Sequence, residues 1–305
     1  MRILFMGTPQ IAAESLSTLI SAGHDICGVF TREDKPQGRK QIMTAPPVKQ
    51  VAITHNIPVF QPKNLRDAEI HAQIKALEPQ LIVVVAYGRI LPPEVLYIPK
   101  YGCINLHVSL LPKYRGCAPV QWAVINGEKE TGVSIMYLNE GVDTGDIIKV
   151  SPLIIGENET SGELFERISQ EGASTLVSAI CEIANGTVRR IPQDNSKATL
   201  APLITKEMAL FTFDASADTL HNLIRGMNPW PMAYFMHDGK KIKVVKSAVL
   251  DLEKGIQGKI VSLKPLTISC THGKITLQEV VPEGSKPMSG EAWAAGKRFV
   301  IGQNI

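Results

Sequence analysis

Residues 81–86 read Leu-Ile-Val-Val-Val-Ala, an unbroken apolar run. A strand with one wet face alternates apolar and polar residues. A continuous run rich in Val and Ile fits a strand covered on both faces. Such a strand needs helices above and below it, which points to a parallel α/β sheet rather than a sandwich. The run is also far shorter than the roughly 18 apolar residues of a membrane span. No other stretch is a better candidate for one, so no membrane association is expected.

The surrounding sequence alternates in the same style. Ile3–Met6 reads as a buried strand, and Gly7-Thr8-Pro9 turns the chain. Ile11, Leu16, Leu19 and Ile20 then fall at helical spacing until Gly23. Asp25–Thr31, Pro58–Phe60, Cys103–His107, Gly132–Leu138 and Asp146–Ile155 read as further strands. Pro47–His55, Asp67–Leu77 and Ala118–Asn126 read as helices between them. Thr160-Ser-Gly-Glu163 has the form of a capping box opening a long helix that stops at Gly186. Residues 1–187 are therefore expected to form a doubly wound, Rossmann-like α/β domain. A dinucleotide is disfavoured as its ligand. Gly7-Thr-Pro-Gln10 lacks two glycines of the fingerprint, and Pro9 removes an N–H donor.

Residues 188–205 contain two prolines and no apolar periodicity, and read as a linker. From 206 onward the pattern changes to short strands separated by turns, with Asp238-Gly239 and His272-Gly273 at hairpin positions. With one helix at Ser216–Gly226, residues 206–305 suggest a small barrel of the oligonucleotide-binding (OB) type. Charge is uneven: residues 206–305 carry 13 Lys/Arg against 9 Asp/Glu, whereas residues 1–205 carry 19 against 20. A polyanionic partner and an ordinary solvated surface are both compatible with that excess. The five cysteines are scattered with no C-x-x-C pair, so neither zinc nor a disulfide framework is expected. The strand pattern begins at Arg2, which leaves no room for a signal peptide, and a reducing cytoplasm fits best.

Chemistry concentrates in Cys103–Gly116, read C-I-N-L-H-V-S-L-L-P-K-Y-R-G. Alternation along a strand puts Asn105 and His107 on one face. Polar residues at strand ends often just satisfy backbone groups. In an open parallel sheet, however, ligands bind at the carboxyl ends of the strands, where this pair would lie. Asp143 follows in the glycine-flanked loop Gly141-Val-Asp-Thr-Gly-Asp146, and a carboxylate near an imidazole fixes its tautomer. No His and carboxylate cluster has ligand spacing, so no metal is expected. The long loop 32–49 carries Arg32, Lys35, Arg39, Lys40 and Lys49 on the same rim. It is either a solvated loop or a basic finger that grips phosphates. Trp230, between two prolines in Asn228-Pro-Trp-Pro231, is expected to plug the barrel or a domain interface. Stacking on a nucleotide is the alternative.

These residues together resemble the methionyl-tRNA formyltransferase family. Asn105–Gly116 and Gly141–Asp146 match the signature of formyltransferases that use 10-formyltetrahydrofolate. Phe5–Pro9, the basic Asp34–Lys40 segment and Asn228–Pro231 narrow the likeness to the enzymes acting on methionyl-initiator tRNA. Val108 stands where the family usually has Gly or Ala, and the basic cluster is reduced to Arg39-Lys40. The resemblance implies a monomeric transferase with 10-formyltetrahydrofolate as co-substrate. It implies Asn105, His107 and Asp143 as catalytic residues, and Ser109, Leu110, Leu111, Pro112, Ala86, Tyr87, Gly88 and Leu91 as folate wall. Lys35, Arg39 and Lys40 would contact tRNA, and the C-terminal barrel would serve tRNA binding, either by touching the tRNA directly or by bracing the first domain. A formyltransferase for a small amine would carry the same catalytic residues, but needs neither a basic loop nor an appended barrel. An RNA-binding module on an inactive α/β domain would not need the intact Asn105, His107 and Asp143.

Overall fold

The computed structural model describes residues 1–38, 40–251 and 256–305. The chain divides into two compact units. The first comprises Met1–Gly116, Gly132–Leu153 and Glu166–Leu200; the second comprises Cys117–Thr131, Ile154–Phe165 and Ala201–Ile305.

In chain order the elements begin β1 (Arg2–Gly7), α1 (Gln10–Ser21), β2 (Asp25–Phe30), β3 (Lys35–Gln37), β4 (Ile42–Thr44), α2 (Pro47–Thr54), β5 (Val59–Phe60) and α3 (Ala68–Ala76). They continue with β6 (Leu81–Val85), α4 (Pro93–Leu96), β7 (Cys103–His107), β8 (Arg115–Gly116), α5 (Pro119–Ile125), β9 (Glu130–Tyr137), β10 (Ile147–Ile154) and α6 (Ser161–Ala184). Seven strands form one sheet in the order β10-β9-β7-β6-β1-β2-β5. The pairs β1–β2, β2–β5, β1–β6 and β6–β7 are all parallel. All five residues of β6 are buried, as an apolar strand with two covered faces requires. One layer of the core gathers Leu4, Met6, Phe30, Ile82, Val84 and Tyr87. Gly7 is needed for close packing: a Cβ there would sit 2.6 Å from Ala12 Cβ and 2.9 Å from the Val85 oxygen.

Strand order reverses between β1 and β6, the kind of switch point outside which α/β sheets bind ligands. Val85 pairs with Leu106, so the turn after β6 and the end of β7 lie side by side. One feature differs from a fully parallel sheet. β9 runs antiparallel to β7, with Ile104 opposite Tyr137 and His107 opposite Ser134. Apolar periodicity is blind to strand direction, so the sequence carries no sign of this.

The basic loop contains a short hairpin, β3–β4, with Lys35 opposite Thr44 and Gln37 opposite Ile42. Asp34 anchors its root. Its carboxylate accepts from Lys49 Nζ at 2.9 Å and from Gln61 Nε2 at 2.8 Å. Those two contacts, Gln61 first, hold Asp34 below the usual carboxylate range.

The second unit adds β11 (Leu200–Ala201), α7 (Ala217–Gly226), β12 (Tyr234–His237), β13 (Lys240–Asp251), β14 (Ile260–Leu263), β15 (Leu266–Ser269), β16 (Lys274–Pro282), β17 (Met288–Ser289) and α8 (Gly290–Lys297). Its sheet runs β12-β13-β16-β15-β14 with β17 on β16, and the pairs β12–β13, β13–β16, β15–β16, β14–β15 and β16–β17 are antiparallel, which fits a small barrel-like domain. Phe235, Trp293 and Phe299 form its aromatic centre, with ring centroids 5.0–5.8 Å apart along that chain. Edge-on aromatic pairs of this kind contribute ~1 kcal/mol each beyond their burial. This corrects the expectation that Trp230 plugs the barrel. Trp293 fills the core, whereas Trp230 is 50% exposed. The capping box is present: Thr160 N–H donates to Glu163 Oε2 at 2.9 Å, and Glu163 N–H returns to Thr160 Oγ1 at 3.2 Å. Those Thr160 contacts hold the Glu163 carboxylate below its usual range.

Candidate active site

β7 ends at His107, whose ring is buried. Its Nε2 lies 2.9 Å from the Tyr114 carbonyl oxygen. A carbonyl can only accept, so Nε2 carries a proton, and Nδ1 is the nitrogen left to exchange one. Nδ1 faces Asp143 Oδ2 at 3.6 Å. That is too long for a hydrogen bond, but it sets the carboxylate beside the ring nitrogen that is left open. The same oxygen accepts the Gly116 N–H at 2.9 Å, which fixes the carboxylate. Asn105 lies two residues back on the same strand and is only partly buried. None of the described residues hydrogen-bonds its amide, so its N–H groups are available to a ligand.

Because β9 is antiparallel to β7, it ends beside the start of β7, not beside His107. The segment 138–146 must fold back along the sheet to deliver Asp143. Asp143 takes a left-handed φ of +53° to do so. Gly145 is needed at the bend, since a Cβ there would fall on the Tyr137 carbonyl oxygen. Gln193 hydrogen-bonds two backbone carbonyls of this loop.

The turn Ser109–Pro112 is held from both sides. Ser109 Oγ donates to the Lys113 carbonyl at 2.7 Å. Ser134 on β9 donates to the Ser109 carbonyl at 2.7 Å and accepts the Leu111 N–H at 3.1 Å. Leu111 is buried against Met136 and Ile147, while Leu110 and Pro112 are partly exposed. The other expected wall follows β6. Ala86 (φ +45°) and Gly88 (φ +75°) are exposed in a tight turn, and Arg32 Nη1 donates to the Gly88 carbonyl at 2.9 Å. Tyr87 and Leu91 sit differently from expectation. Their side chains are buried in the core beneath the turn, so at Tyr87 the turn can offer a ligand backbone but not a ring.

Lys35 and Lys40 are exposed on the β3–β4 hairpin, as are Ile42 and Met43; Arg39 lies outside the described residues. Lys49 is occupied by Asp34 and adds no free charge. Among the described residues, no group of three or more His, Cys, Asp and Glu could hold a metal ion. No helix there is long and apolar enough to cross a membrane. The residues that sequence reasoning missed are Tyr114, Ser134 and Gln193. Tyr114 acts through its backbone, and the other two are far away in sequence.

The arrangement presents an amide donor, an imidazole with one exchangeable nitrogen and an anchored carboxylate beside a rigid turn. It can stabilise an oxyanion and move a proton, which are the requirements of acyl transfer to an amine. Comparison with known proteins agrees. Residues 1–180 match the formyl transferase family, and residues 203–298 match the formyl transferase C-terminal domain. A methionyl-tRNA formyltransferase of Alkaliphilus oremlandii is 46% identical over 99% of this chain and 98% of its own length. One from Pelotomaculum thermopropionicum is 44% identical over 97% of this chain and 96% of its own. Among solved structures, an N-formyltransferase from Helicobacter canadensis, in complex with folinic acid and dTDP-3-aminofucose, superposes with a TM-score of 0.70. It is 22% identical and covers 90% of this chain and 98% of its own, a likeness of fold.

Proposed function

Because this chain belongs to the methionyl-tRNA formyltransferase family, we propose that it transfers the formyl group of 10-formyltetrahydrofolate to the α-amine of methionine on initiator tRNA. The observation that supports this reading is the approach of Asp143 to His107 beside the Ser109–Pro112 turn, with Asn105 two residues back on the strand that ends at His107. The neutral amine attacks the formyl carbon, and the carbonyl oxygen gains negative charge. Asn105 Nδ2–H and protonated His107 Nδ1–H donate to that oxygen. As the tetrahedral intermediate collapses, the bond to N10 breaks. The proton lost by the amine passes to N10, with Asp143 as the relay group, directly or through water. Ser109–Pro112 and the Ala86–Gly88 turn form the folate walls.

Lys35, Arg39 and Lys40 meet the phosphates of the acceptor end, with exposed Ile42 and Met43 beside them. In the second unit, Lys206, Lys241 and Lys243 surround a cavity of about 460 Å³ next to Trp230, which supports residues 206–305 as tRNA-binding. The protein acts as a monomer in the cytoplasm.

The test is incubation of purified protein with 10-formyltetrahydrofolate and methionyl-initiator tRNA, with methionyl-elongator tRNA, free methionine and amino sugars as controls. Transfer confined to the initiator substrate is expected. Faster transfer to a small amine would overturn the assignment.

A further inference from the structure

The segment from Arg190 to Thr199, within the stretch that reads as a linker, makes a single connected set of contacts in the first unit. The Arg190 guanidinium lies 3.7 Å from the centroid of the Tyr137 ring. Ile191 exchanges backbone hydrogen bonds with Ile147 at 2.9 and 2.8 Å. Thr199 Oγ1 accepts the N–H of Tyr114 at 2.9 Å, the residue whose carbonyl holds His107. Between these anchors sits Gln193. Its amide donates to the Gly145 carbonyl at 2.7 Å and the Asp143 carbonyl at 2.9 Å. Its oxygen accepts Arg115 Nη2 at 2.7 Å and Nε at 3.1 Å. Arg115 is buried, and its Nη2 also donates to Asn195 Oδ1 at 2.9 Å.

Every hydrogen-bonding position of the Gln193 amide is thus used, and its orientation is fixed by Arg115, which can only donate. That orientation aims both N–H groups at the Asp143 loop. The loop needs such a hold. Asp143 is a non-glycine residue in the left-handed region, a conformation that persists only where its surroundings impose it. The loop also starts from the end of the strand pair remote from His107.

We propose that Gln193 is a positioning residue for formyl transfer. By clamping the Asp143 and Gly145 carbonyls, it keeps the Asp143 carboxylate facing His107 Nδ1. This rests on the reading of Asp143 as the group that works with His107. Glutamate at 193 preserves size and the bond to Arg115, but turns an oxygen instead of N–H groups toward two carbonyl oxygens. It therefore removes the clamp while sparing the rest.

The experiment measures single-turnover formyl transfer from 10-formyltetrahydrofolate to methionyl-initiator tRNA for Gln193→Glu and Gln193→Ala, alone and combined with Asp143→Asn. Folding is checked by circular dichroism and thermal melting. Each single Gln193 variant is expected to lose roughly 10- to 100-fold in rate at saturating substrates, with dissociation constants for folate and tRNA within about twofold of the parent. The acid limb of the pH–rate profile should move. In the Asp143→Asn background the Gln193 changes should add almost nothing, because both act through one carboxylate. A folded Gln193→Glu protein with the parental rate and pH profile would overturn the proposal, as would a loss that adds fully to Asp143→Asn. If Asp143→Asn alone keeps the parental rate, the underlying reading of Asp143 fails instead, whatever Gln193 does.

Discussion

Within the first unit, the surroundings of His107 and the β3–β4 hairpin are built in opposite ways. His107 is 5% exposed, one ring nitrogen is bound to a backbone carbonyl, and the neighbouring carboxylate is fixed by a backbone N–H. In the hairpin, Ile42 and Met43 are each 62% exposed, and its short ladder is closed within itself. The contrast matches two kinds of task. Acyl transfer requires reacting atoms placed to within a fraction of an ångström, which only packed and hydrogen-bonded groups provide. Holding a polyanion requires charge at the right reach, and bulk solvent around the lysines does little harm to that. Changes at the first region should therefore alter the rate of the bound complex, and changes at the second should alter how tightly the complex forms.

The largest expected effect is at Asn105 and His107. Alanine at either position removes a proposed donor to the oxyanion and should cost about 2–4 kcal/mol of transition-state stabilisation, roughly 10²–10³ in single-turnover rate. Affinity for tRNA should stay within about twofold. A large loss of tRNA affinity with a parental rate would erase the division of labour between the two regions.

Next comes Gly145→Ala. The added methyl falls on the Tyr137 carbonyl, so the loop that delivers Asp143 must shift. Overpacking of this kind costs ~1–3 kcal/mol of stability, measured by denaturant unfolding, and the transfer rate should fall with it. Parental stability and rate would show that the loop tolerates another path.

How far the sequence reveals each region differs for a physical reason. Asn105 and His107 are legible because strand alternation is local, and Asp143 because glycines mark its loop. The partners that orient them are not legible. Tyr114 acts through a backbone oxygen, which every residue possesses. Gln193 is 50 residues from Asp143 and sits among polar residues that look like a linker. The antiparallel β9, which forces the loop to fold back, leaves no mark in apolar periodicity. The hairpin is not legible either, because Pro36, Gly38 and charged neighbours break any alternation. Its basic character was readable from composition alone. Helix α8 is equally hard to read, since Gly290 and Gly296 weaken its helical pattern.

Lys35 and Lys40 test the other side of the comparison. Replacing both with alanine should weaken tRNA binding and reduce the slope of log affinity against log salt by about 1–2, since each lysine releases about one counterion on neutralising a phosphate. At saturating tRNA the single-turnover rate should be unchanged. Equal affinity and slope in the double variant would remove the hairpin from the interface.

The smallest effect is expected at the hairpin's root, where the two styles of construction meet. Asp34 is bound by Gln61 and Lys49, and those contacts hold its carboxyl below the ordinary range. A carboxylate that titrates lower in the folded protein than in the unfolded chain contributes stability above the unfolded value, about 3.9 for Asp. The contribution is lost as pH falls through the lower folded value. Across pH 5–8 the root therefore stays ionised, and tRNA affinity should show no step attributable to it. Asp34→Asn would discard the charge while keeping the shape. It should leave the transfer rate alone, release Lys49 as a new free cation beside the hairpin, and raise the salt slope slightly rather than lower it. A fall in both affinity and slope would mean that hairpin placement, not its charge, sets the grip, and the contrast between a fixed site and a loosely built one would need to be redrawn.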